Sequence, residues 1–381
     1  MSFGKRGSTS IGRWFWTIDN VSLILLFSIM CFGAVLITTA SPAVAERIKV
    51  SSFYFVHRQL LFLAASFFLI ILFSAVSEKS LRRFILIGFV ACLVLLISVL
   101  LFGDEVKGAK RWINILGFNL QPSEFLKPFY IFIMGLILSE RYNKEKFPAF
   151  TTAILLHGIV VLLLILQPDF GMVITFTTVL AGQFFMAGLP LALIFIIGFL
   201  AIAGAFAAYT FLPHVARRVD SFLNPEATEN YQVEKSLEAY VKGGLFGKGP
   251  GEGTVKANLP DSHADFIFAV AGEEFGAIFC SLILILFLAF IIRAIFQIAK
   301  LDNLFKIYTC SGIIMLFTLQ TVFNIGVTLH LFPTKGMTLP FISYGGSSSL
   351  SFAIAFGIFL NLTKKHNTLK AKREHLILKK L

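Results

Sequence analysis

Charge is scarce in this chain. Asp, Glu, Lys and Arg make up 14% of its 381 residues, against about a quarter in soluble domains, and 57% of the residues are hydrophobic. A soluble globular enzyme is excluded, because its core could not hide that much apolar surface. Cysteine is nearly absent. Cys31, Cys92, Cys280 and Cys310 all fall inside apolar runs with no metal-ligand spacing, so neither a disulfide framework nor a zinc site is expected. A nucleotide-binding phosphate loop is also absent. The glycine cluster Gly243-Gly-Leu-Phe-Gly-Lys-Gly-Pro-Gly251 has the wrong gap before its Gly-Lys, no Ser or Thr after Lys248 and no preceding strand. It reads as an oxyanion-binding nest or as a flexible turn.

The chain has instead a succession of apolar runs long enough to cross a bilayer. They fall at 21–40, 58–76, 82–102, 122–139, 148–166, 170–187, 190–212, 264–292, 304–328 and 344–362. The expected fold class is therefore all-α: a polytopic membrane bundle of about ten transmembrane helices with one large extracytoplasmic loop, 213–262. Ala43-Val44-Ala45 resembles a signal-peptidase site, but the run before it is a full span and is expected to stay. The net charge of +12 reads as membrane orientation rather than nucleic-acid binding. With the N-terminus inside, 19 of the 33 Lys and Arg lie on the cytoplasmic side, and the long loop holds six of the others. The expected organisation is a cytoplasmic segment 1–19 with Trp14 and Trp16 at the interface, a membrane domain 20–362, and a basic cytoplasmic tail 363–381. The tail either lies on anionic lipid or is solvated.

Four stretches concentrate the polar chemistry. In Leu259-Pro-Asp-Ser-His-Ala-Asp-Phe-Ile-Phe-Ala-Val-Ala-Gly-Glu-Glu-Phe-Gly276, Pro260-Asp261 predicts a turn, and Ser262 or His263 the start of a helix. Asp265, Ala269, Gly272 and Gly276 would then share one face, with Glu273 about 12 Å further along the axis. Acidic groups at and inside a span are costly and mark function, although a helix cap and an ion pair are the simpler alternatives. Gln121-Pro-Ser-Glu-Phe-Leu-Lys-Pro128 opens the fourth span. Glu124 and Lys127 are neighbours on its face, and Pro128 has no N–H for the Glu124 carbonyl, which predicts a kink. That pair either holds the bundle or meets substrate. Gln167-Pro-Asp-Phe-Gly171 keeps Asp169 at the outer boundary, where a turn-forming role is the simpler reading. Around Lys335, two prolines and Gly336 break the helical pattern in a stretch too apolar for an exposed loop, which fits irregular backbone against protein or a wet cavity.

The outer face thus collects Asp265, Glu124, Asp169 and His263 with Lys127, Arg217, Arg218 and Lys335. Carboxylates beside fixed cations suit an anionic, diphosphate-bearing substrate approached from the outer leaflet. Patterning alone does not separate an enzyme from a transporter.

These motifs, in this order, resemble the SEDS family (shape, elongation, division and sporulation) over residues 20–362. The resemblance implies ten spans and a peptidoglycan glycosyltransferase that polymerises lipid II, expelling undecaprenyl diphosphate with inversion. It implies Asp265 as the general base and Lys335, Glu124, Lys127 and Trp112 as counterparts of family motif residues; Ala264 departs from the usual Thr. The Leu-Pro-Asp-Ser-His-Ala-Asp segment and the Asn-Pro-Glu loop look more like division-type than elongation-type members. A single-pass class B penicillin-binding transpeptidase and other division proteins are implied as partners, at the septal cytoplasmic membrane. No organic cofactor is expected, while a Mg or Mn ion is left open. A lipid II flippase, which would use Glu273 as a deep polar step, and a structural scaffold are the other classes.

Overall fold

The structure is a computed structural model describing residues 10–106, 109–115, 117–143, 147–211, 216, 220, 231–333 and 336–364. A short helix α1 (Ser10–Thr17) leads into α2 (Asn20–Arg47), α3 (Tyr54–Ala75) and α4 (Glu78–Phe102). Three short strands follow, β1 (Asp104–Val106), β2 (Ala109–Ile115) and β3 (Phe118–Leu120). The chain continues through α5 (Pro122–Asn143), α6 (Ala149–Leu166), α7 (Phe170–Met186) and α8 (Leu191–Phe211) to the outer-loop helix α9 (Tyr231–Gly243). It closes with α10 (Ile267–Ile298), α11 (Leu304–Thr328) and α12 (Gly346–Leu362).

Helices form where the sequence offers unbroken apolar runs, since only a helix satisfies its own backbone in lipid. Four of their starts carry side-chain caps. Asp19 accepts from the Ser22 N–H, Ser77 from Ser80, Asp169 from Met172 and Asn303 from Lys306. Among the described residues, six helices have the length and hydropathy to cross a membrane, and α7 and α12 are shorter apolar helices. The chain is a multi-pass helical membrane protein, and its helices coincide with the ten expected runs to within a few residues, save that α2 runs on past the expected end at 40 to Arg47 and that α10 differs as described below.

The strands were not expected. They form an antiparallel sheet in the order β1-β2-β3, with Ile113 opposite Leu120 and Ile115 opposite Phe118. The hairpin between β2 and β3 closes through Gly117 at φ 81°, whose N–H donates to Asn114 Oδ1 at 3.1 Å. The β-branched alternation Ile113, Ile115 was the available signal.

Helices α5, α11 and α12 form the centre. Residues 351–363 are all buried, and Phe287, Phe290, Phe317, Phe352 and Phe356 pack ring against ring within the bundle. The outer faces of α4 and α6 stay apolar and exposed, as lipid-facing surfaces do. Side-chain contacts tell the two ends apart. At one end Arg293 donates to Asp19 at 3.0 Å, Lys306 pairs with Glu78 at 3.0 Å, and Asn361 donates to the Phe73, Ser74 and Val76 carbonyls. The N-terminal segment and the end of α12 meet there. The candidate residues gather at the opposite end.

Candidate active site

The turn carrying Asp265 is not helical. Helix α10 begins at Ile267 rather than at Ser262 or His263, which corrects the expected start. The reason lies in three consecutive carbonyls. A helix begun at His263 would give them to N–H groups four residues on, but other segments take them. His263 O accepts from the Tyr344 N–H at 2.9 Å, Ala264 O from the Ser343 hydroxyl at 2.6 Å, and Asp265 O from Asn324 Nδ2 at 2.9 Å. Asp261, at φ 52°, opens the turn as expected. Asp265 is half-buried, and a Cβ on Gly336 would stand 3.2 Å from its Oδ2, so the backbone beside Lys335 abuts the carboxylate.

His263 is a packing residue here. Its ring sits 4.5 Å from Phe55 and 5.2 Å from Tyr344, centroid to centroid. Burial holds its pKa down to about 4, Asp261 opposing and Arg47 reinforcing that shift, so the ring is neutral near pH 7.

The expected span 264–292 is also corrected. Gly276 breaks α10 at φ 80°, ψ 179°, a conformation essentially confined to glycine. Residues 244–249 of the outer loop enter the break. Ala277 N–H donates to Gly244 O at 2.9 Å and Ile278 N–H to Leu245 O at 3.3 Å, while Lys248 and Gly249 donate to the Glu273 and Glu274 carbonyls. Residues 277–298 therefore form the spanning half. Residues 267–275 lie on the outer-loop side, and Asp265 shares no continuous helical face with Gly276.

Glu273 leaves the deep position the sequence suggested. Its carboxylate is fully buried and accepts the backbone N–H groups of Thr254, Val255 and Lys256 at 2.7, 2.9 and 3.3 Å, with Lys248 Nζ at 3.7 Å. Glu274 pairs with Lys256, whose ammonium also reaches the Thr39 and Gly251 carbonyls at 3.0 Å. The glycine cluster serves this packing rather than acting as a free nest or loose turn. A Cβ on Gly243 would fall 1.9 Å from the Gly272 carbonyl.

Glu124 and Lys127 form an ion pair at 2.6 Å, both buried. Lys127 also donates to Gln320 Oε1 at 3.0 Å and lies 5.1 Å from the Phe352 ring. The carbonyl left without a partner by Pro128 accepts the Ser351 hydroxyl at 2.6 Å. Asp169, for which a turn-forming role was the simpler reading, caps α7, with Gln121 Nε2 at 3.4 Å and Arg111 at 3.8 Å. Trp112 is half-buried on β2, and its neighbour Arg111 makes the contacts, also donating to the Gln167 and Pro168 carbonyls. Arg217, Arg218 and Lys335 lie outside the described residues.

Sequence reasoning missed Gln320 and Asn324. Spaced by four on α11, they face the same side. Asn324 Nδ2 bridges the Asp265 and Met337 carbonyls at 2.9 and 2.6 Å. Gln320 joins Lys127 to the Thr338 carbonyl at 3.4 Å. Two amides at i and i+4 inside an apolar run were the available signal. Among the described residues, no three His, Cys, Asp or Glu side chains cluster as metal ligands.

Fold and site together define a polytopic membrane-helix protein whose candidate acid stands at one end of the bundle, its turn held by the Asn324 amide, the Ser343 hydroxyl and the Tyr344 N–H. More narrowly, the chain belongs to the FtsW/RodA/SpoVE cell cycle protein family, whose family model matches residues 19–368. It is 38% identical over 365 residues to a Caulobacter vibrioides protein named "Probable peptidoglycan glycosyltransferase FtsW", covering 96% of this chain and 94% of the relative. A Trichlorobacter lovleyi protein of the same name is 36% identical, covering 91% and 93%. Among solved structures, a chain from a peptidoglycan synthase complex superposes with a TM-score of 0.76 at 26% identity, covering 91% and 97%. RodA of Thermus thermophilus superposes at 0.68 with 25% identity, covering 91% and 96%. The resemblance read from the motifs is thereby borne out.

Proposed function

We propose that this protein is a peptidoglycan glycosyltransferase of the division type, polymerising lipid II at the outer face of the bacterial cytoplasmic membrane. The observation that carries this is the near full-length similarity to relatives named for that activity. The braced turn at Asp265 supports it, because a general base must be held within hydrogen-bond reach of the hydroxyl it deprotonates.

In the proposed reaction the 4-hydroxyl of the GlcNAc of one lipid II attacks C1 of the MurNAc of another chain. Asp265 takes the hydroxyl proton as the new C1–O bond forms. The bond from C1 to the diphosphate oxygen breaks with its electron pair, expelling undecaprenyl diphosphate and inverting C1. Lys335, Arg217 and Arg218 meet the developing diphosphate charge. Glu124 and Lys127 support the site from below, while His263 and Asp169 shape its walls and Trp112 borders it from the sheet. The reaction needs no organic cofactor, and a Mg or Mn ion would arrive with the diphosphate. The termini face the cytoplasm and the outer loop lies outside.

By analogy with the solved complex, whose description couples polymerization and crosslinking, a single-pass class B penicillin-binding transpeptidase is the partner, working with other division proteins at the septum. Purified protein given labelled lipid II tests the activity. Glycan ladders that vanish in Asp265→Asn are expected, and leaflet exchange without ladders would overturn the reading in favour of a flippase. Ladders that persist at near wild-type rate in well-folded Asp265→Asn would assign the base elsewhere.

A further inference from the structure

Four apolar side chains on the outer loop take no part in the site. Val241 is 82% exposed, Phe246 81%, Leu245 64% and Leu237 39%. Helix α9 turns Val233, Ser236, Ala239 and Gly243 inward. Its outward arc is divided. Leu237 and Val241, four residues apart, share one flank, and Glu234, Glu238 and Lys242 occupy the other. Lys235 and Lys242 both pair with Glu238, which fixes the charged flank.

The loop's attachment shows what faces the apolar flank. Leu245 accepts the N–H of Ile278 and Gly244 that of Ala277, the first residues of the spanning half of α10. Ile278, Leu282 and Ile285, spaced along one helical face, are 56%, 49% and 61% exposed. The patch therefore continues an apolar surface that faces lipid. A helix with an apolar flank level with a span's first turn and a charged flank beside it, on the same outward arc, is built to lie in a membrane interface.

We propose that α9 lies along the outer leaflet with Leu237, Val241, Leu245 and Phe246 inserted among lipid chains. Lys242, exposed at the end of α9 and paired with Glu238, stands at headgroup level. Because residues 244–249 are hydrogen-bonded into the helix break, this contact holds the outer loop at headgroup level beside the turn that carries Asp265. The inference rests on membrane embedding alone and stands apart from the reaction.

The test uses the full-length protein with Cys31, the one exposed cysteine among the described residues, replaced by serine. Phe246→Cys is labelled with an NBD fluorophore and reconstituted into phosphatidylcholine vesicles with or without brominated acyl chains. Glu252→Cys, exposed on the polar side of the loop, is the control, and Val241→Cys is a second probe should the first variant fold poorly. Expected is blue-shifted emission at 246 and 241, quenched by brominated lipid several-fold more than at 252. Water-like emission with equal, weak quenching at all three would overturn the proposal. So would a probe shielded only after a transpeptidase ectodomain is added, which would assign the patch to that protein.

Discussion

Replacing Glu273 with glutamine separates two roles for a buried carboxylate. In the wild-type fold the charge is spent on the outer loop, accepting the N–H groups of Thr254, Val255 and Lys256 with Lys248 nearby. Glutamine keeps the shape but offers one accepting oxygen. Its NH2 turns toward a backbone donor or toward the Lys248 ammonium. Two bonds fall from charged to neutral strength, about 1 kcal/mol each, and one buried N–H is left unpaired at roughly 2 kcal/mol. The sum, about 4 kcal/mol, is a large part of a typical domain's stability, but the loop opens before the bundle does. Hydrogen exchange resolves this locally. The amides of Thr254, Val255 and Lys256 should exchange at least about 100-fold faster in Glu273→Gln, trypsin should cut sooner at Lys248 and Lys256, and amides of α11 should be unaffected. Exchange within about 3-fold of wild type would refute the clamp and reopen a pathway role for the charge.

Most of the helical bundle was legible because apolar runs of spanning length admit one structure in lipid. Where the reading failed, tertiary contacts overrode local pattern. The stretch after Pro260 has a sound helix-start signature, yet Asn324, Ser343 and Tyr344 take the carbonyls that a helix would need. Those partners lie about 60 to 80 residues away in sequence, beyond the reach of any periodicity. Gly276 reads as one of a stripe of small residues, and only the entry of 244–249 makes it a break. Of the site, the Glu124 carbonyl orphaned by Pro128 and the pairing of Glu124 with Lys127 were readable from spacing of four and three. The identity of the bracing partners, Ser351 and Gln320, was not.

Gly276→Ala should reduce folded yield sharply, since a Cβ would fall 2.4 Å from the Gly247 nitrogen and from the Leu245 carbonyl oxygen in a backbone region costing L-residues about 1–3 kcal/mol even without the clash; normal yield and melting temperature would contradict the break. His263, neutral in the fold with a pKa of about 4 against 6.5 unfolded, contributes stability that is fully present above pH 6.5 and is lost as pH falls toward 4. That is roughly 3 kcal/mol at the low end, and the thermal midpoint of His263→Phe should be flatter with pH across this window. Asn324→Leu removes a side chain that donates to both the Asp265 and Met337 carbonyls. Leucine fills similar space, so the bundle keeps its packing, while two carbonyls lose their donor at about 1–3 kcal/mol each. The turn should then sample positions out of line with the acceptor hydroxyl, and misplacement by about 1 Å can cost about 100-fold in rate. The measurement is glycan synthesis against lipid II concentration: a large fall in kcat with little change in KM is expected, because the bridge touches the turn's backbone rather than the diphosphate. A rise in KM with kcat preserved would instead assign Asn324 to substrate binding, and unchanged kinetics would mean that the turn holds its shape without it.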